Sequence, residues 1–156
     1  MTRRENPILH NSKPNSARAG FEGGLFVLQI PGLVARFQEC SGLGSEHEVL
    51  ETKVLDSEGD EAMVKTPGKL RWQDINLAKG VTDDQGLWAW RRMVEEGDMT
   101  AARQGGTISL LDGSLHAVAE WEFVKGWPAT LEGMTLDGLT AIEELLIVHE
   151  GIHRTL

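Results

Sequence analysis

Residues 66–97, TPGKLRWQDINLAKGVTDDQGLWAWRRMVEEG, constrain the fold most, because the pattern changes there from strand to helix and the helix is punctuated at both ends. Thr82 and Gln85 have the spacing of a capping box, in which side chains satisfy the free N–H groups of a first helical turn. Asp83 and Asp84 fall where the positive end of a helix dipole favours carboxylates. Leu87, Trp90, Met93 and Val94 recur at helical spacing, and Gly97 can close the helix in a left-handed conformation. This spacing predicts a helix over 83–97 with Leu87, Trp90 and Val94 as packing residues. Before it, residues 70–77 read as a strand ended by Lys79-Gly80.

Strand patterns dominate elsewhere. Residues 26–30 and 34–41 flank the turn signal Pro31-Gly32 and predict a hairpin. Residues 46–55 read as a third strand, followed by an acidic loop over 56–61. Asp112-Gly113 is a strong hairpin signal between residues 108–111 and 115–124. Along the latter strand, Leu115, Ala117, Ala119, Trp121 and Phe123 share one face. His116, Glu120 and Glu122 share the other, as in a strand with one face buried. Trp121 and Phe123 are therefore expected core residues. Trp127-Pro128 reads as a strand-ending corner, since proline cannot donate to the ladder. Residues 141–153 fit a helical face through Ile142, Leu145, Leu146 and His149, and fit a strand of mixed burial through Ile142, Glu144, Leu146, Val148 and Glu150. Residues 1–23 are polar, with two prolines, and read as an extended arm.

The chain has 156 residues, enough for one domain burying ~68–70% of its unfolded surface. Its net charge of −9 argues against nonspecific nucleic-acid binding, which needs excess Lys and Arg. No apolar run approaches the ~20 residues of a membrane span, so no membrane insertion is expected. Met-Thr-Arg-Arg is not followed by the apolar stretch of a secretory signal. One cysteine, Cys40, excludes an internal disulfide and suits the cytoplasm.

Motifs for chemistry are sparse. His149-Glu150-Gly151-Ile152-His153 matches H-E-x-x-H, which in zinc peptidases places two histidines on one helix face. Gly151 weakens such a helix, and only Arg154, Thr155 and Leu156 follow to supply a third ligand. On a strand the two histidines would stand ~13 Å apart, too far for one zinc. His149 is then a polar strand end near a surface, and His149→Ala is expected to leave folding nearly unchanged. Cys40 has no motif-linked histidine or carboxylate, and Ser41 lacks the G-x-S-x-G elbow. Gly42-Leu43-Gly44 does not continue to G-x-G-x-x-G. The tryptophans Trp72, Trp88, Trp90, Trp121 and Trp127 suit core and subunit-interface packing better than a ligand platform. No catalytic residue, cofactor or metal is expected.

Several segments in order resemble the tail tube proteins of contractile-tailed phages and contractile injection systems. They are Ile30-Pro31-Gly32, FQECSGL from Phe37, Lys65-Thr66-Pro67-Gly68, Leu77-Ala78-Lys79-Gly80 and Leu87-Trp88-Ala89-Trp90. Then come the Asp112-Gly113 turn, Trp121 and Phe123 with Trp127-Pro128, and IEELLIVHEG from Ile142. The resemblance spans roughly residues 21–153 and implies a strand for residues 141–153. It implies a mainly β, tube-type domain over 24–156, with two packed antiparallel sheets as a sandwich or open barrel and one flanking helix. It further implies hexameric rings stacking into a hollow tube, assembled in the bacterial cytoplasm into a phage tail or an injection particle. Expected partners are other copies, a sheath protein, baseplate and tail-terminator proteins, and DNA or effector cargo. A secreted ring of the type VI hemolysin-coregulated kind is the alternative. In a tube, His116, Glu120 and Glu122 would face the lumen.

Overall fold

The computed structural model describes residues 24–83 and 85–156, so the expected arm over 1–23 and the helix-start carboxylate Asp84 lie outside the described residues. Nine strands and two helices follow in the order β1 (Leu25–Ile30), β2 (Leu33–Ser41), β3 (Ser45–Leu55), β4 (Glu61–Trp72), β5 (Ile75–Thr82), α1 (Gly86–Glu95), α2 (Met99–Ala102), β6 (Gln104–Leu111), β7 (Ala117–Leu136), β8 (Leu139–Val148) and β9 (Gly151–Arg154). The chain is mainly β with a flanking helix, as expected, but its two sheets are not the faces of a sandwich. β6, β1, β2, β5, β8 and β7 are hydrogen-bonded in that order, and β6 also pairs with β7. That last pairing closes a six-stranded barrel. β3 and β4 pair only with each other, as a separate hairpin.

A six-stranded barrel is narrow enough for side chains to fill. Leu28, Ala35, Phe37, Ile75, Leu77, Ile108, Phe123, Ile142, Leu145 and Ile147 do so, almost wholly buried. Small barrels need sharp bends, and two Lys-Gly pairs supply them. Lys79 (φ 55°) and Lys125 (φ 50°) sit in the left-handed region within strands. Each precedes a glycine lying under a phenylalanine ring. A Cβ on Gly80 would fall 2.5 Å from Phe37, and one on Gly126 would fall 2.4 Å from Phe123. Lys79-Gly80 is therefore a bend inside β5, not the strand end expected. Inward residues change phase there: Ile75 and Leu77 point in before the bend, Gly80 and Thr82 after it.

Because β5 continues to Thr82, which pairs with Thr140, the helix begins later than residue 83. Its N-cap is Gln85, with no side-chain cap hydrogen bond, and its first turn holds no acidic residue. The capping box is thus not formed. The other end matches its signal. Gly97 has φ 81°, its N–H donates to Val94 O, and the Asp98 N–H donates to Met93 O, the paired hydrogen bonds of a Schellman motif. Asp98 then caps α2, a turn not anticipated from sequence, by accepting from the Ala101 N–H. Leu87 and Trp90 are buried, Met93 packs partly on the core, and Val94 is half-buried.

Residues 70–77 form not one strand but the end of β4 and the start of β5, with Gln73-Asp74 crossing between sheets. β7 runs straight through Trp127-Pro128 for 20 residues. The proline is tolerated because it sits at a register shift and beyond Gly126, the last β7 partner of β6. Residues 141–153 are strand, broken at His149 and Glu150 into β8 and β9, which follow one edge of β7.

Candidate assembly surfaces

The H-E-x-x-H segment comes to a definite structural end. The His149 ring is buried where β8 passes to β9. Its Nδ1 accepts from the Gly151 N–H at 3.1 Å, so the proton is on Nε2, which donates to Gln73 O at 2.8 Å. Both ring nitrogens are engaged by the protein, and no lone pair remains for a metal. His153 is exposed on β9, and no cluster of three or more metal-ligating side chains exists among the described residues. The ring clamps the sheet crossing at Gln73 to the last strand, with Trp72 tilted against it at 6.3 Å. His149 is therefore not the dispensable strand end expected. Replacing it by alanine orphans two backbone groups, and we expect a loss of ~1–3 kcal/mol in a denaturant titration, with no change in metal content. An unchanged midpoint would show that the clamp contributes nothing.

The Cys40 thiol is partly buried, and desolvation pushes its pKa up to about 12, which leaves no thiolate for nucleophilic chemistry at neutral pH. The tryptophans have separate roles. Trp90 is core, Trp88, Trp121 and Trp127 are half-buried, and Trp72 is exposed at the hairpin base. The Arg154 guanidinium lies 5.8 Å from the Trp121 ring centre. No helix among the described residues is long and apolar enough to cross a membrane.

Around Asp112-Gly113 the chain reverses over more residues than expected. Asp112 Oδ1 accepts from the Ser114 and His116 N–H groups, and Leu115 takes φ 62°. The His116 bond and then the Ser114 bond hold the Asp112 carboxyl below the usual carboxylate range. β7 starts only at Ala117, so Leu115 and His116 belong to the turn and are both exposed. Glu120 and Glu122 are on β7, opposite the buried Ala119 and Phe123, with Trp121 half-buried on that inner face. Their cross-strand neighbours are Ser109, which donates to Glu120 at 3.3 Å, and Thr107 and His153.

The β3–β4 hairpin is the least ordinary surface. Every residue of β3 is exposed, as is nearly all of β4, and neither strand contributes to the barrel core. Val49, Leu50, Val54, Leu55, Met63 and Val64 are among its exposed residues. A lone two-stranded ribbon is marginal in water. Its tip is ordered by Asp56, whose Oδ1 accepts from the Glu58 and Asp60 N–H groups, and by Gly59 at φ 82°.

The described chain is thus a closed barrel with a filled interior and a long bare hairpin beside it. Residues 24–153 match the family of the T4-like virus tail tube protein gp19. The chain belongs to this family. Tail tube proteins are structural subunits.

Solved structures agree on the fold. A chain of the sheath–tube complex of PVC, an extracellular contractile injection system, in its extended state superposes with a TM-score of 0.58 at 20% identity, covering 83% of this chain and 87% of that one. A chain of the PVC sheath/tube terminator gives 0.58 at 20%, covering 84% and 93%. One from the baseplate of the anti-feeding prophage gives 0.58 at 17%, covering 84% and 91%. No curated protein matches in sequence.

Proposed function

We propose that this tail tube protein is the repeating subunit of the inner tube of a contractile tail or injection particle, forming six-membered rings that stack into a conduit inside a sheath. The match to the tail tube family over residues 24–153 carries this reading. The bare β3–β4 hairpin supports it, since an exposed ribbon gains stability by lying on another copy. Sheath, baseplate and terminator proteins are the partners, because structures of such assemblies hold chains of the same fold. Concentrated purified protein is expected to form long hollow tubes in negative-stain electron microscopy. Protein that stays monomeric, or stops at single rings, overturns the reading.

In this tube the outer face of β7 lines the lumen through Glu120 and Glu122, with His116 at the turn below. Acid there repels a passing nucleic acid or acidic protein. Glu120→Lys with Glu122→Lys is expected to assemble normally and to slow cargo passage. A reconstruction with both side chains on the outer wall or in a subunit contact would falsify the assignment.

A further inference from the structure

Two sequence motifs without chemistry of their own meet at the root of the β3–β4 hairpin. Gly42-Leu43-Gly44 leads from β2 into β3, and His149-Glu150 leads from β8 into β9. Between them the hairpin returns to the barrel through Gln73-Asp74. Leu43 packs partly against the barrel core. Gly42 has φ 82°, and a Cβ on it would stand 1.8 Å from Asp74 O, so the outgoing and returning chains meet backbone to backbone. The Gln73 N–H donates to Gly44 O at 3.1 Å, and Gln73 O accepts from His149 Nε2 at 2.8 Å. Both main-chain polar groups of Gln73 are thereby held, one by the outgoing chain and one by the end of β8. The Trp72 ring, tilted against His149, lies 3.8 Å from where a Cβ on Gly151 would be.

Along the rest of their length β3 and β4 pair only with each other, and every residue of β3 is exposed. The direction of the ribbon is therefore set at its root. β3 has 11 residues, about 36 Å of strand. On an arm of that length, each ~10° of freedom at the root moves the tip by about 6 Å, more than the ~4.8 Å between neighbouring strands. A ribbon that swings so far in the free subunit has to be ordered at every addition to a growing tube, and ordering on association costs affinity. A ribbon fixed beforehand avoids that cost.

Resting on the tube reading, we propose that His149 and Gly42-Leu43-Gly44 form a latch that aims the β3–β4 hairpin in the free subunit, before any neighbour is met, and that assembly depends on this aim. His149 is a positioning residue. Its ring bonds only main-chain groups of its own chain, Gln73 O and the Gly151 N–H, and acts on the ribbon through Gln73. Gly42 lets the two crossings approach, Leu43 anchors the outgoing one, and Gly44 O closes the root below the last ribbon pair, Ser45 with Trp72. Removing the imidazole frees Gln73 O and the Trp72 ring together. The crossing then keeps only its bond to Gly44, which moves with the ribbon.

Spin labels on Ser57→Cys at the hairpin tip and Ser114→Cys at the β6–β7 turn, both exposed sites, test this in a Cys40→Ala background. Pulsed electron paramagnetic resonance on dispersed full-length subunits is expected to give one narrow distance distribution. His149→Ala should widen it at least about twofold while far-ultraviolet circular dichroism stays unchanged. Without labels, the same variant should raise the critical concentration for tubes, read by sedimentation, at least about fivefold, an effect on association. Trp90→Phe is the control. It loses a hydrogen bond of α1 to Ala102 O, away from the root, and should alter neither the distance width nor the critical concentration. A broad wild-type distribution, a width unchanged by His149→Ala, or an equal rise in critical concentration from Trp90→Phe overturns the latch and leaves the tube reading standing if wild-type tubes form. Wild-type protein that never assembles overturns the tube reading and the dependence of assembly on the latch, while the distances still decide whether the hairpin is aimed.

Discussion

Trp90→Ala is expected to cost about 3–5 kcal/mol, the range for removing a fully buried large aromatic. Trp90 is 2% exposed and among the largest fully buried side chains. Its ring belongs to the same core as Leu87 and the barrel strands, and its Nε1 donates to Ala102 O at 2.7 Å. One side chain thus ties α1 both to the barrel and to α2. A domain of this size moves by ~2–4 °C per kcal/mol, so the melting temperature should fall by on the order of 10 °C. The measurement belongs on dispersed subunits, because tube contacts would stabilise folded protein by mass action. Trp90→Phe separates the two contributions. It keeps most of the packing and loses the hydrogen bond, worth ~1 kcal/mol net. A melt unchanged in Trp90→Ala would mean that α1 is not docked as described.

The parts legible in sequence were those written in local signals. Pro31-Gly32 marks the β1–β2 turn, Gly97 the end of α1, and the alternation of Ala119, Trp121 and Phe123 the inner face of β7. The family was legible because its short motifs fall in order along the chain. Barrel closure was not, since pairing Ile108 with Trp121 and Phe26 with Leu110 defines a ring only when all partners are known. The bends were hidden for another reason. Lys79 and Lys125 carry positive φ without a residue type that announces it, and the following glycines resemble strand ends. Each bend shifts the inward phase, so one period-2 pattern cannot be followed through it. Taking Lys79-Gly80 as an end moved the expected helix start to residue 83 and put a helix cap at Thr82, which lies inside β5, whereas the N-cap is Gln85.

Gly42→Ala is expected to have the larger effect among the glycine changes, and to reach assembly through folding. Gly42 follows β2, where Gln73-Asp74 crosses from the hairpin to the barrel and the Gln73 N–H donates to Gly44 O at 3.1 Å. Its φ is 82°, and a Cβ would stand 1.8 Å from Asp74 O. Two costs combine there. The left-handed conformation alone costs a side-chain-bearing residue ~1–2 kcal/mol. The clash is with backbone, which cannot rotate away, so the crossing itself must move and the His149–Gln73 bond with it. Together these should exceed about 4 kcal/mol, the range reserved for disrupted cores and strained backbone. Gly32→Ala isolates the first cost, because Gly32 has φ 78° with nothing within 4 Å of its would-be Cβ. Denaturant titrations of the two variants should therefore differ by at least ~2 kcal/mol, with Gly32→Ala losing only the conformational share. Equal losses would show that the approach of Asp74 to Gly42 is looser than described, and that the hairpin joins the barrel through a yielding hinge.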